Sequence, residues 1–251
     1  MKEQNNRNES MIEGRNAVLE AFRSGKTVDK LYILDGCQDG PVRTIVREAK
    51  KRDTILNFVT KERLDQLSET KKHQGVIAMT AAYEYSDIEG KCLLWPRRKG
   101  KIRFLILLDN IEDPHNLGAI IRTANLAGAH GVIIPKRRAA GLTATVSKTS
   151  AGALNYTPVA KVTNLAKTME ELKGRGLWFV CADMDGDAMY DVNLKGPIGL
   201  VIGNEGEGVS RLVRETCDFT ASIPMRGEID SLNASVAAGV LAYEIVRQRT
   251  R

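Results

Sequence analysis

The stretch IGLVIGNEGEGVS, residues 198–210, decides the fold. It opens as an apolar run too continuous for a strand with one wet face, then passes directly into a glycine-rich loop and a helical start near Val209. A strand buried on both faces needs helices on both sides, which implies a parallel sheet in an open α/β domain. Runs of the same kind occur in RFLILLD, GVIIP, LWFVCA and FTASIP, each separated from the next by helical stretches. Together these five runs predict an α/β domain over residues 102–251, with its ligand beyond the carboxyl ends of the strands.

Upstream of that domain the pattern alternates helix and strand. NAVLEAFRSG closes at Gly25, and KLYIL, VRTIVREAKKR, ILNFVT, KERLDQL and GVIAMTA follow. A small α/β domain over residues 11–82 accounts for them. Residues 1–10 lack the apolar stretch of a signal peptide and read as a flexible tail. Residues 83–101 read as a linker: Gly90, Pro96 and Gly100 break any periodicity, and Arg97, Arg98, Lys99 and Lys101 make its end basic.

Composition narrows the class. The 251 residues are 43 % hydrophobic and 27 % charged, as expected of a globular protein with a sizeable core. The net charge of +6 permits a polyanionic partner without requiring one. Cys37, Cys92, Cys181 and Cys217 are widely spaced, with no CxxC pair, which argues against a zinc site or a disulfide framework and for a reducing cytoplasmic setting. No segment reads as a membrane span.

Three strand ends carry residues with chemical potential. DNIEDPHNLGAIIRTA places Asn116 near a helix start and Arg122 about two turns along it; alternatively Asn116 is a cap and Arg122 a solvated charge. The GNEGEG loop, Gly203–Gly208, invites a phosphate-cradle reading. Its order is GxxGxG rather than GxGxxG, however, and Glu205 and Glu207 would set carboxylates beside a phosphate. A ligand with an adenosine and a cationic centre suits it better, and a plain turn with exposed acids is the bland alternative. In IPMRGEIDSLNASVAAG, Asp230 or Ser231 is the expected helix cap, with Asn233 and Ser235 in the first turn. Ala234, Ala237, Ala238 and Gly239 then suggest close packing, since an interior glycine costs on the order of 1 kcal/mol against alanine.

With those residues in view, the sequence resembles the SpoU/TrmH family of RNA ribose 2'-O-methyltransferases, in the knotted SPOUT superfamily. NLGAIIRTA resembles the first family motif through Asn116, Gly118 and Arg122. GLVIGNEGEGVS resembles the second through Gly203, Glu205 and Gly208, and IPMRGEIDSLNASVA the third through Ile223, Pro224, Met225, Ser231, Leu232, Asn233 and Ser235. IEGRNAVLEAF and HQGVIA are similar to the ribosomal-protein-like RNA-binding domain that precedes the catalytic domain in bacterial enzymes acting on a large-subunit ribosomal RNA guanosine. The resemblance implies a trefoil-knotted α/β catalytic domain, S-adenosylmethionine as cofactor, a homodimer and no metal. It implies cofactor contacts from Gly203, Ile223, Met225, Leu232 and Ser235. Catalytic roles fall to Arg122, Asn116, Glu205, Ser231 and Asn233, with Arg122 acting across the dimer.

A guanidinium is a poor base at neutral pH, so Arg122 reads better as a clamp on phosphate and hydroxyl, with Glu205 holding it or taking the proton. The implied substrate is a guanosine of 23S ribosomal RNA, with a transfer RNA guanosine as the alternative. A non-catalytic RNA-binding protein predicts loss of the Arg122, Glu205 or Asn233 types, and all are present. A nicotinamide-dependent dehydrogenase predicts GxGxxG in the first strand–helix unit, where the chain has NLGAI.

Overall fold

The computed structural model describes residues 11–88, 92, 102–229 and 231–250. The expected tail and the basic cluster Arg97, Arg98, Lys99 and Lys101 lie outside the described residues. The chain divides into two compact units, one reaching to Glu84 and including Gly141–Ala144, the other formed by Tyr85–Ala140 and the residues from Thr145 onward.

The first unit comprises β1 (Met11–Glu13), α1 (Arg15–Arg23), β2 (Val28–Leu34), α2 (Gly40–Lys51), β3 (Ile55–Val59), α3 (Lys61–Leu67) and β4 (Val76–Thr80). Its sheet has the order β1-β4-β2-β3, with β2 and β3 parallel and the other pairs antiparallel. β1 was not foreseen, because three half-buried residues carry no readable period. Asp39 starts α2 by accepting the Val42 N–H at 3.1 Å, and Pro41 occupies the first turn, where its missing N–H costs nothing. Val18 and Phe22 of α1 and Val42, Ile45 and Ala49 of α2 then bury against Leu31, Ile33, Val76 and Ala78.

The second unit carries β5 (Phe104–Leu108), α4 (Pro114–Leu126), β6 (Gly131–Pro135), α5 (Ala144–Thr149), β7 (Val159–Val162), α6 (Leu165–Lys173), β8 (Trp178–Ala188), β9 (Ile198–Ile202), α7 (Arg211–Thr216), β10 (Phe219–Ser222) and α8 (Ala234–Thr250). The sheet is parallel throughout, in the order β10-β8-β9-β5-β6-β7. The expected parallel α/β domain is therefore present, with six strands rather than five. The extra one, β7, lies at the sheet edge with Lys161 and Val162 only half buried, so it shows no unbroken apolar run. Within the stretch expected to link the halves, Ser86 donates its N–H to the Val159 carbonyl at 2.8 Å and Cys92 is fully buried.

β5 and β9 lie side by side in the middle of the sheet, buried along their whole length and in register from Phe104↔Ile198 to Leu108↔Ile202. The order of strands reverses between them, the place where open α/β sheets leave a crevice. β8 pairs with β10 at Val180 and Cys181, then again only at Asp187 and Ala188, so residues 182–186 of β8 bulge out of that pairing. On α8, Ala234, Ala238, Leu241, Ala242 and Ile245 are buried. Close packing is thus carried by the alanines. A methyl group on Gly239 would meet only the Thr123 methyl, at 3.9 Å, so the tight fit expected there is absent.

Candidate active site

The three motifs converge on one carboxylate oxygen. Asp113 caps α4 by accepting the His115 N–H at 2.9 Å, which leaves the Asn116 amide, three residues beyond the cap, to face the glycine loop. Asn116 Nδ2 donates to Glu205 Oε1 at 2.7 Å, Asn233 Nδ2 donates to the same oxygen at 2.9 Å, and the Ala234 N–H donates to it at 3.2 Å. Asn233 Nδ2 also reaches Asn116 Oδ1 at 3.0 Å. Loops after β5, β9 and β10 are thereby tied to one another, and the side chains doing so are 28 to 117 residues apart.

Asn233 also starts α8. Its Oδ1 accepts from the Ser235 N–H at 2.9 Å and from Ser235 Oγ at 2.6 Å, so the helix begins at Ala234. This corrects the expectation that Ser231 or Asp230 caps the helix with Asn233 inside it; Asp230 itself lies outside the described residues. Ser235 is spent on the cap. It is not among the residues that line the cavity beside the motifs.

The glycine loop is held by its own asparagine. Asn204 Oδ1 accepts the N–H groups of Gly206 and Glu207 at 2.9 and 2.6 Å, and Asn204 bridges back to Gly208, whose φ of +67° suits glycine. Asp109, at the end of β5, accepts the Ser210 N–H at 2.7 Å and anchors the exit of the loop. A cavity of about 230 Å³ opens between this loop and the chain leaving β10. Gly203, Glu205, Ile223, Met225, Ser231 and Leu232, all anticipated, line it. The β8 bulge supplies a further wall with Ala182, Asp183 and Met184, which were not anticipated, and Ala234, Ala237 and Leu241 of α8 line the cavity too. The acidic cluster DMDGD at a strand end was the available signal. Arg214 of α7 holds the bulge through Asp183 at 3.1 Å and Asp185 at 3.7 Å.

Burial acts to raise the Glu205 carboxyl, but its own backbone N–H, that of Ala234 and the Asn116 amide outweigh this, against a small opposing push from Asp113, and hold it below the usual carboxylate range. The group is therefore ionised at neutral pH and is a weak base there. Arg122 is exposed on α4 and, among the described residues, has no hydrogen-bond or ion-pair partner. Within the chain Glu205 is engaged by the two asparagines; the family resemblance has Arg122 act across a dimer. With Asp183, Glu205 and Glu207 around an otherwise backbone-rich and aliphatic cavity, the site favours a ligand with a cationic centre and disfavours a phosphate. Among the described residues no cluster of His, Cys, Asp and Glu could hold a metal ion, and no helix is long and apolar enough to cross a membrane.

Residues 103–243 match the SpoU rRNA methylase family, and residues 11–86 match a domain described as RNA 2'-O ribose methyltransferase substrate binding. The chain is 47 % identical, over 94 % of both sequences, to a protein of Bacillus subtilis (strain 168) classed with the TrmH family tRNA/rRNA methyltransferases. Its structure is similar to that of the SpoU methyltransferase AviRb from Streptomyces viridochromogenes in complex with AdoMet, with a TM-score of 0.60 and 29 % identity over 96 % of this chain and 90 % of that one. A TrmH/SpoU tRNA modifying enzyme of A. aeolicus is 31 % identical with a TM-score of 0.55, covering 60 % of this chain and 77 % of its own.

Proposed function

We propose, for a chain that belongs to the SpoU/TrmH family of RNA methyltransferases, that it methylates the 2'-hydroxyl of a guanosine ribose in 23S ribosomal RNA, using S-adenosylmethionine. The observation that carries this reading is the Glu205 node, which fixes two asparagine amides beside a cavity suited to a cationic, phosphate-free nucleoside. The cofactor's sulfonium supplies an electrophilic methyl group. Gly203, Ile223, Met225 and Leu232 would hold it, with carboxylates near the positive charge. The acceptor hydroxyl must then be set in line, and orientation of this kind contributes roughly 7–11 kcal/mol. In this reading Asn116, Asn233 and Ser231 orient the ribose. Glu205 keeps those amides in place rather than taking the proton, because the donors on its Oε1 help hold the carboxyl below the usual range and leave it a weak base. Arg122, free of partners among the described residues, clamps the RNA phosphate and the developing alkoxide.

Ribosomal RNA is preferred to transfer RNA because the A. aeolicus tRNA modifying enzyme corresponds to 60 % of this chain, whereas residues 11–86 here match a substrate-binding domain. Residues 11–82 would dock the RNA and residues 102–251 would carry out the transfer, with the chain of the second unit threaded as a trefoil knot. Mapping 2'-O-methyl sites in both RNA classes from a strain lacking the protein distinguishes the substrates. Calorimetry tests the cofactor: stoichiometric binding of S-adenosylmethionine or its demethylated product is expected, with no binding of NAD or ATP. Tight NAD binding overturns the reading.

The homodimer in this reading covers α4 and α8, which pack together and leave Leu126 66 %, Val236 49 % and Tyr243 50 % exposed. Val236→Asp should shift the protein from dimer to monomer in sedimentation. A variant still dimeric at micromolar concentration excludes this face.

A further inference from the structure

The first unit has a groove that the catalytic reading leaves unused. It measures about 730 Å³ and lies between α2 and β3, the edge strand of that sheet. Val42 and Val46 form its apolar floor, and Phe58, 56 % exposed, stands in it. The strand explains the position of the ring. Leu56 packs into the core beside Val46, and Phe58, two residues on, points to the same face but beyond the helix cover. On the helix, Arg43 and Lys50 lie three and four residues from Val46, and Arg47 lies four residues from Arg43 and three from Lys50, so the three basic residues rim the groove together. Among the described residues none of these three makes an ion pair, and no acidic side chain lines the groove; Glu48 is taken up by Lys51 and Arg52.

We infer that this groove binds an unpaired stretch of the RNA substrate, with a base stacked on Phe58 and flanking phosphates on Arg43, Arg47 and Lys50; the inference rests on the proposed RNA-modifying activity. Charge complementarity selects a polyanion, and the open ring selects among polyanions. A duplex keeps its bases stacked on each other and offers only phosphates and groove edges, whereas a splayed single strand offers a π-face. A nucleotide so held would register the target relative to a cavity formed entirely by the other unit.

Full-length protein is titrated with a short fluorescein-labelled single-stranded RNA and with the same strand annealed to its complement. The single strand should bind more tightly. Phe58→Ala should weaken it about tenfold with little change in salt dependence, and Phe58→Trp should restore it. Arg43→Gln with Arg47→Gln should instead lower the log–log salt slope by about 1.4, at roughly 0.7 per phosphate contact. All variants should bind S-adenosylmethionine as the parent does, since none of these residues lines the cavity. Unchanged single-strand affinity in Phe58→Ala, or equal affinity for duplex and single strand, overturns the groove assignment. Loss of cofactor binding by the parent protein would instead strike at the methyltransferase reading.

Discussion

Arg122→Ala should reduce methyl transfer by about a thousandfold or more while leaving S-adenosylmethionine affinity within a factor of two. The separation follows from position. Arg122 is exposed on α4 and absent from the cavity wall, so cofactor binding has no contact to lose. The acceptor side has much to lose, because a hydroxyl must be oriented and the charge developing on it stabilised. One removed donor to a developing oxyanion costs roughly 10²–10³ in rate, and misplacement of the phosphate adds to that. Arg122→Lys separates the two contributions. It keeps the charge and loses the planar fork, so it should recover RNA affinity more than turnover. Single-turnover transfer to RNA, measured beside calorimetry with the cofactor alone, reads both quantities. A near-parental rate in Arg122→Ala would make the residue a solvated helix charge and return the catalytic burden to the Glu205 node.

Much of the second unit is legible from sequence because β5, β6 and β9 are buried on both faces and therefore appear as unbroken apolar runs. β7 escapes for the same physical reason: at an edge, Lys161 and Val162 meet solvent, and the run dissolves. The site is legible as a set of residue types at strand ends and less so as a set of partnerships. Nothing in NEGEG states that Glu205 would meet Asn116 and Asn233, because those partnerships depend on how three loops from distant parts of the chain are brought together. The cap of α8 shows the limit at short range. SLNAS offers several competent cap residues, and tertiary bonds from Asn233 to Glu205 and Asn116 favour Asn233 among them. The β8 bulge needs the register between β8 and β10, which no periodicity reveals; beside the acidic cluster, Gly186 is a local trace of it, since a Cβ there would lie 2.6 Å from the Thr220 backbone.

Gly203→Ala should abolish measurable cofactor binding, with a loss of at least a hundredfold, about 2.7 kcal/mol. A Cβ on Gly203 would lie 2.1 Å from the Gly208 carbonyl carbon, 2.3 Å from its oxygen and 2.3 Å from the Val209 nitrogen. All three are backbone atoms, so no side-chain rotation relieves the clash and the loop itself has to move. That loop is closed by the Asn204–Gly208 bridge and by two N–H groups on Asn204 Oδ1, so it shifts as a body and carries Glu205 with it. Displacement of Glu205 releases Asn116, Asn233 and the Ala234 N–H together, and the cavity wall and the catalytic amides are lost in one step. Gly206→Ala is the matched control. Its added methyl would meet Asn204 Oδ1 at 3.7 Å, an ordinary contact, so cofactor affinity should fall less than tenfold. Both proteins should keep the parental circular dichroism spectrum, because β5 and β9 pair below the loop. If Gly203→Ala binds S-adenosylmethionine as well as Gly206→Ala does, the loop is not the cofactor wall, and the cavity beside the Glu205 node belongs to some other ligand.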